Sequence, residues 1–174
     1  MLVQQARAEF GRQNFEVAHQ LLTEGLALLP DRYTVGATWA YTMPALIYLE
    51  TGRLEAAVPY LRGALELVES ADNLLEREEV LVGVAEFALA GKRWIEATVL
   101  HGAAEACGAT FGGLAPEAWI VQRRKTSLVL LRAHVDQFEP HWDRGKALTY
   151  GEAVDLARTF LDEMASTSRP GVDT

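Results

Sequence analysis

One pattern constrains this chain more than any other: a small residue, a larger one and another small one recur three times in helical register. The three matches are Ala18-Leu22-Gly25, Ala57-Leu61-Ala64 and Ala97-His101-Ala104. In each, the small residues stand at i and i+7 and the larger at i+4, so all three lie on one stripe of a helix. Such a stripe lets a second helix approach closely. Successive matches are 39 and 40 residues apart, a period suited to a helix-turn-helix unit in a repeat array.

The remaining patterning is helical. Apolar positions recur at three and four rather than two, and β-branched residues are scattered. Breaks are expected at Pro30-Asp31, Thr51-Gly52, Gly91-Lys92, Gly108 to Pro116 and Asp143-Arg144-Gly145, leaving room for seven or eight helices. A helix from Pro116 to about Val135 and a shorter one near Phe138 to Trp142 follow the repeats. Thr149-Tyr150-Gly151-Glu152 has the spacing of a capping box. It is expected to start a last amphipathic helix carrying Ala153, Leu156, Ala157, Phe160, Leu161 and Met164. Residues 166–174 are expected to be a disordered tail.

Composition narrows the function classes. A net charge of −8 and a single cysteine, Cys107, disfavour nucleic-acid binding and exclude an internal disulfide framework. The short basic cluster Arg123-Arg124-Lys125 reads as a solvated helix face. No apolar run approaches the length of a membrane span, and the first residues lack the apolar centre of an export signal. The expectation is a soluble, cytoplasmic chain with no membrane partner.

The central unit carries the most specific signal. Tyr41, Ala45 and Tyr48 share one face of a first helix, Thr51-Gly52-Arg53 forms the turn, and Ala57, Leu61 and Ala64 share one face of the second. At these spacings the residues resemble the tetratricopeptide repeat. Unit one matches more weakly, because Gly11 lies seven residues before Ala18 whereas Gly52 lies five before Ala57. It ends at Pro30, where that family places its closing proline. Unit three has Leu81, Ala85 and Ala88, then Gly91 at the turn, and puts His101 where a large apolar residue is usual.

The second half carries another resemblance. His101-Gly102-Ala103-Ala104-Glu105-Ala106, Leu114-Ala115-Pro116, Trp142, Gly145-Lys146-Ala147-Leu148-Thr149 and Glu152-Ala153-Val154-Asp155-Leu156-Ala157 resemble the C-terminal end of large bacterial regulators. These are LuxR-type and MalT-like signal-transduction ATPases. The resemblance implies a tetratricopeptide-like superhelix that receives a ligand or partner signal and passes it to an ATPase core and an output domain. No phosphate-binding loop accompanies it, since Gly145-Lys146-Ala147 lacks the required hydroxyl residue. The apolar residues Leu2, Val3, Ala6 and Phe10 begin almost at Met1 without a cap, which suggests a fragment or a stand-alone sensor piece.

The expected fold is therefore all-α: two and a half to three antiparallel tetratricopeptide-like helix pairs over residues 1–107, forming a superhelix, with C-terminal capping helices over 108–165. The expected function is non-catalytic: a protein-interaction or signal-sensing module of a bacterial regulator, with no cofactor. The concave face would present Trp39, Thr42, Met43, Leu46 and Glu50 from unit two and Glu79, Val82 and Glu86 from unit three. That mixture suits a peptide or helix with apolar anchors and positive charge. A competing assignment has Trp39, Met43 and Leu46 packing against adjacent helices. The alternative function is a small-molecule effector domain with a pocket near Trp119, Phe138 and Trp142. Self-association through the uncapped N-terminal helices is a further expectation.

Reactive chemistry finds little footing. His101 reads as a packed histidine and His19 as a surface one. His134 and His141 lie on either side of Pro140, which interrupts the face that would align them on a metal. Ser127 and Cys107 lack a nucleophile's surroundings. Glu76, Glu78, Glu79 and Glu86 form an acidic run that reads as solvated or as facing a basic partner.

Overall fold

The computed structural model describes residues 2–28, 37–70, 76–111 and 118–167, and among them every regular element is a helix. In chain order these are α1 (Leu2–Gly11), α2 (Phe15–Ala27), α3 (Ala37–Glu50), α4 (Leu54–Ser70), α5 (Arg77–Ala90), α6 (Trp94–Phe111), α7 (Ala118–His134), α8 (Phe138–Ala147) and α9 (Tyr150–Thr167). Pro30, Leu114, Ala115, Pro116 and the tail from 168 lie outside the described residues, as does the side chain of Trp119.

The first six helices pack as consecutive pairs, α1 on α2, α3 on α4 and α5 on α6, and neighbouring pairs touch through α2 with α3 and α4 with α5. All three recurring stripes are buried. Ala18, Leu22, Ala57, Leu61, Ala64, Ala97, His101 and Ala104 are each fully enclosed, and Gly25 is buried with them. Tyr41 fills the space over Gly63, where a methyl group would press on its ring.

The turns repeat as faithfully as the stripes. Gln13, Gly52 and Lys92 all have positive φ, at 64°, 70° and 58°. In each turn the next residue's amide donates to a carbonyl five residues back: Asn14 to Glu9, Arg53 to Tyr48 and Arg93 to Ala88. This is the hydrogen bond that closes a helix end on a left-handed residue. Each of these three left-handed residues lies five residues before the first alanine of its stripe. The glycines therefore mislead in two units. Gly11 ends α1 and Gly91 keeps φ at −77°, while Gln13 and Lys92 adopt the conformation that suits glycine best.

Beyond the third pair the chain folds back on itself. Helix α8 lies along α6 at very short range: a methyl on Gly102 would overlap the Trp142 carbonyl, and one on Gly145 the Val99 carbonyl. The expected break at Asp143-Arg144-Gly145 is thus the inside of a helix, with glycine selected by close approach. Likewise α6 continues past Gly108 to Phe111, and a methyl at Gly108 would overlap the Glu78 carboxylate. Helix α9 starts at the expected capping box. The Glu152 carboxylate accepts the Thr149 amide at 2.8 Å, and the Glu152 amide donates to the Thr149 hydroxyl at 3.3 Å. It spans α4, α5 and α6 and brings the Phe160 ring against Phe87 at 5.7 Å. Ion pairs Arg62–Asp162 and Arg158–Glu69 join it to α4.

In α1 the apolar residues turn inward: Ala6 and Phe10 are buried and Val3 packs on the core, while Gln4, Gln5 and Ala8 face outward.

Close approach and turn geometry set four stability outcomes. Gly145→Ala should destabilise the protein by about 3 kcal/mol in urea unfolding, because the new methyl meets backbone that cannot step aside. Gly151→Ala, with nothing within 4 Å of the added carbon, should gain about 0.5 kcal/mol from helix propensity. In the turns, Lys92→Gly should stabilise by about 0.5 to 1 kcal/mol by relieving a left-handed side-chain residue. Gly52→Lys should cost a similar amount.

Candidate functional site

The third pair departs from the second at two positions that meet in space. Counting one repeat of 40 residues, Glu86 stands where unit two has Leu46, and His101 stands where it has Leu61. An apolar pair has become a polar one inside the core. Glu86 is 3% exposed and His101 0%. The imidazole Nε2 lies 3.3 Å from Glu86 Oε1, and neither ring nitrogen has an aligned hydrogen-bond partner among the described residues.

The charge of Glu86 is answered from α7. The Ser127 hydroxyl donates to Oε1 at 2.6 Å, and the Arg123 Nε–H donates to Oε2 at 2.8 Å. Arg123 also pairs with Glu50 at the end of α3. Arg124 turns the other way, 2.9 Å from Glu78 and 3.7 Å from Glu105. Two members of the basic cluster thus point into the protein rather than into solvent; Lys125 alone is exposed. Helix α7 is tied at its far end by apolar contact. Leu131 and Val135 are buried, and His134 stacks on Trp94 with ring centres 4.4 Å apart.

Burial on its own would raise the Glu86 pKa, because it penalises the charged form. His101, Arg123 and Ser127 outweigh burial and hold the carboxyl below its ordinary value. A desolvated carboxylate with these partners is strongly held, and removing one partner from such a cluster typically costs about 3 to 5 kcal/mol. Serine, histidine and glutamate are all present, yet the arrangement does not make a nucleophile. Both the hydroxyl and the imidazole face the carboxylate, whereas an activated serine needs the histidine beside its own hydroxyl. The cluster's chemistry is that of a bolt between α5, α6 and α7.

The eight residues assigned to a concave binding face divide by exposure. Trp39, Thr42, Met43, Leu46 and Glu86 are buried, with Met43 at 0% and Trp39 beneath the Arg7 guanidinium at 4.0 Å. As placed, these five pack against the chain itself, in line with the competing assignment for Trp39, Met43 and Leu46. Glu50 reaches the surface, and Glu79 and Val82 are half-buried. Phe138 and Trp142, assigned to a ligand pocket, stack at 5.4 Å and are each 6% exposed. An open groove of about 830 Å³ lies elsewhere, between the start of α4 and the end of α9, lined by Gly52, Arg53, Pro59, Phe87, Met164 and Ala165 among others.

Other titratable residues have structural surroundings. His19 is half-buried, its Nε2 3.0 Å from the Tyr48 hydroxyl. Pro140 fits the first turn of α8, where no helical amide is lost. Burial pushes the Cys107 thiol up, with Arg77 opposing and Glu78 adding to the rise, so it is not poised as a thiolate. Among the described residues no three of His, Cys, Asp and Glu gather as a metal site, and no helix is long and apolar enough to cross a membrane. No protein-family model, curated protein or solved structure matches the chain.

The Glu86 cluster predicts a specific pH response. Unfolded, Glu86 titrates near its ordinary 4.5; folded, it titrates lower. Its stabilisation is therefore complete above about pH 4.5 and is lost as pH falls through the folded value. Glu86→Gln should be less stable than the parent by about 3 kcal/mol at pH 7, the lower end of the range for such clusters because Arg123 keeps Glu50. In urea unfolding at pH 7, 5 and 3.5 that gap should hold to pH 5 and narrow at 3.5.

Proposed function

We propose that the chain is a tetratricopeptide-like helical-repeat module that binds a protein or peptide partner within a bacterial signalling regulator, and that it has no chemistry of its own. The observation that carries this reading is the threefold recurrence, in one register, of a left-handed turn followed five residues later by a buried small-large-small stripe. A chain built from such units gains a broad surface rather than an enclosed cleft. The sealed Glu86 cluster supports the same view, since Ser127 and His101 are 3% and 0% exposed. Helices α7 to α9 act as a cap, which a short array needs to cover its last pair.

Origin in LuxR-type or MalT-like regulators is part of this proposal. Several residues that carry that resemblance have packing tasks here: Gly102 and Gly145 permit the α6–α8 approach, and Thr149 with Glu152 caps α9. The small-molecule alternative has one observation behind it, the groove of about 830 Å³ between α4 and α9, which is open to solvent rather than enclosed.

Two assays in parallel separate these readings. Bait chain should retain a defined protein from the parent bacterium's extract, and the retained protein, once purified, should bind it directly. In thermal-shift measurements metabolites should leave the melting temperature unchanged. A metabolite that raises it by several degrees, the effect of a ligand near one hundred times its Kd, with no protein partner retained, would establish the effector-domain reading instead.

A further inference from the structure

Helix α7 packs on one side and leaves apolar side chains among polar ones on the other. Its inward side places Leu131 and Val135 in the core and sends Arg123 and Ser127 to Glu86. Its outward side carries Val129 at 67%, Leu130 at 42% and Val121 at 36% exposure. At 100° per residue, Val129 lies at the middle of this face with Val121 and Leu130 toward its edges. Scattered exposed apolar residues are ordinary. Here three share the outward half of one helix with Gln122, Lys125 and Thr126, the mixed apolar and polar composition of an interface rather than of a core.

Charge identifies the occupant. The chain carries net −8, but α7 contains no Asp or Glu and holds Arg123, Arg124, Lys125 and Arg132. The two inward arginines are consumed by Glu50, Glu86, Glu78 and Glu105. Lys125 remains on the outer face with no ion pair among the described residues, and Arg132, 54% exposed, lies over the Phe138 ring at 4.6 Å and 3.9 Å from Glu139, itself 69% exposed. The face is a cationic apolar strip on an otherwise acidic protein. An acidic partner is drawn to it and repelled elsewhere.

We propose that the outer face of α7, formed by Val121, Lys125, Val129, Leu130 and Arg132, is the docking surface for an acidic amphipathic helix of a partner protein. The inference rests on the interaction-module reading and moves the contact from the first helices of the repeats to the cap. Leucines of the partner cover Val129 and Leu130, while its flanking carboxylates meet Lys125 and Arg132. The Glu86 bolt fixes the height and rotation of the strip from behind.

The test uses two synthetic amphipathic helices with the same leucine stripe, one flanked by glutamates and one by lysines, titrated against the full chain by fluorescence anisotropy. The glutamate peptide should bind about ten-fold or more tightly than the lysine peptide, and salt should weaken it. Val129→Asp and Lys125→Glu should each weaken it about ten-fold. Both side chains are exposed, so the circular dichroism melts should match the parent. Equal binding of the two peptides, or binding of neither, overturns the proposal. Binding abolished by Glu79→Lys or Val82→Asp but not by the α7 variants overturns it too, while leaving the module reading intact. A concentration-dependent dimer in light scattering that Val129→Asp dissolves would assign the strip to a second copy of the chain and overturn it as well.

Discussion

The packing of this protein depends on small residues sealed between helices, which let their backbones approach closely. Within the pairs these are Ala18, Ala57 and Ala97 with their partners seven residues on, all sealed from solvent. Between α6 and α8 the approach is tighter still, so that Gly102 and Gly145 tolerate not even a methyl. Short separation maximises the number of atoms in van der Waals contact. It also fixes direction, because a helix seated in such a notch cannot slide or rotate without collision. The three turns then reverse the chain with the same hydrogen bond each time.

On that frame the third pair introduces a polar exception. Exchanging a leucine pair for Glu86 and His101 places a carboxylate where unit two has only hydrocarbon. Burying a charge is costly unless it is met by partners, and here they come from the next helix: Arg123 and Ser127. Helix α7 is thereby held by directed, charge-assisted bonds at one end and by Leu131, Val135 and the His134–Trp94 stack at the other. Buried pairs of this kind often add little net stability relative to apolar replacements, but they discriminate sharply between placements. The consequence is a helix set in one orientation with an apolar, cationic face turned outward.

The period, the burial of the stripes, the turn at Gly52 and the cap at Thr149 were all legible in the sequence, because each depends on residues close together in the chain. Other features were not. Gln13 and Lys92 take the left-handed position although glycines stand nearby, and only the hydrogen-bond register of the completed turn decides between them. Gly145 looks like a helix breaker until α6 is laid against it. Glu86 looks like a solvated or partner-facing carboxylate, since its intramolecular partners lie 37 and 41 residues farther on. Nothing local distinguishes those cases. A clue did exist in the repeat itself: aligned by 40 residues, Glu86 and His101 fall on Leu46 and Leu61, two polar residues at apolar positions of one unit.

Consecutive helix pairs pack in a row, and the Glu86 cluster fastens α7 to them. Hydrogen exchange resolved by segment in the Glu86→Gln variant tests that arrangement most directly, because exchange reports the opening of local units separately from global unfolding. Protection should fall in α7 and in α6 around His101, while α1 and α2 keep theirs. Equal loss in every helix, or no loss in α7, would contradict it.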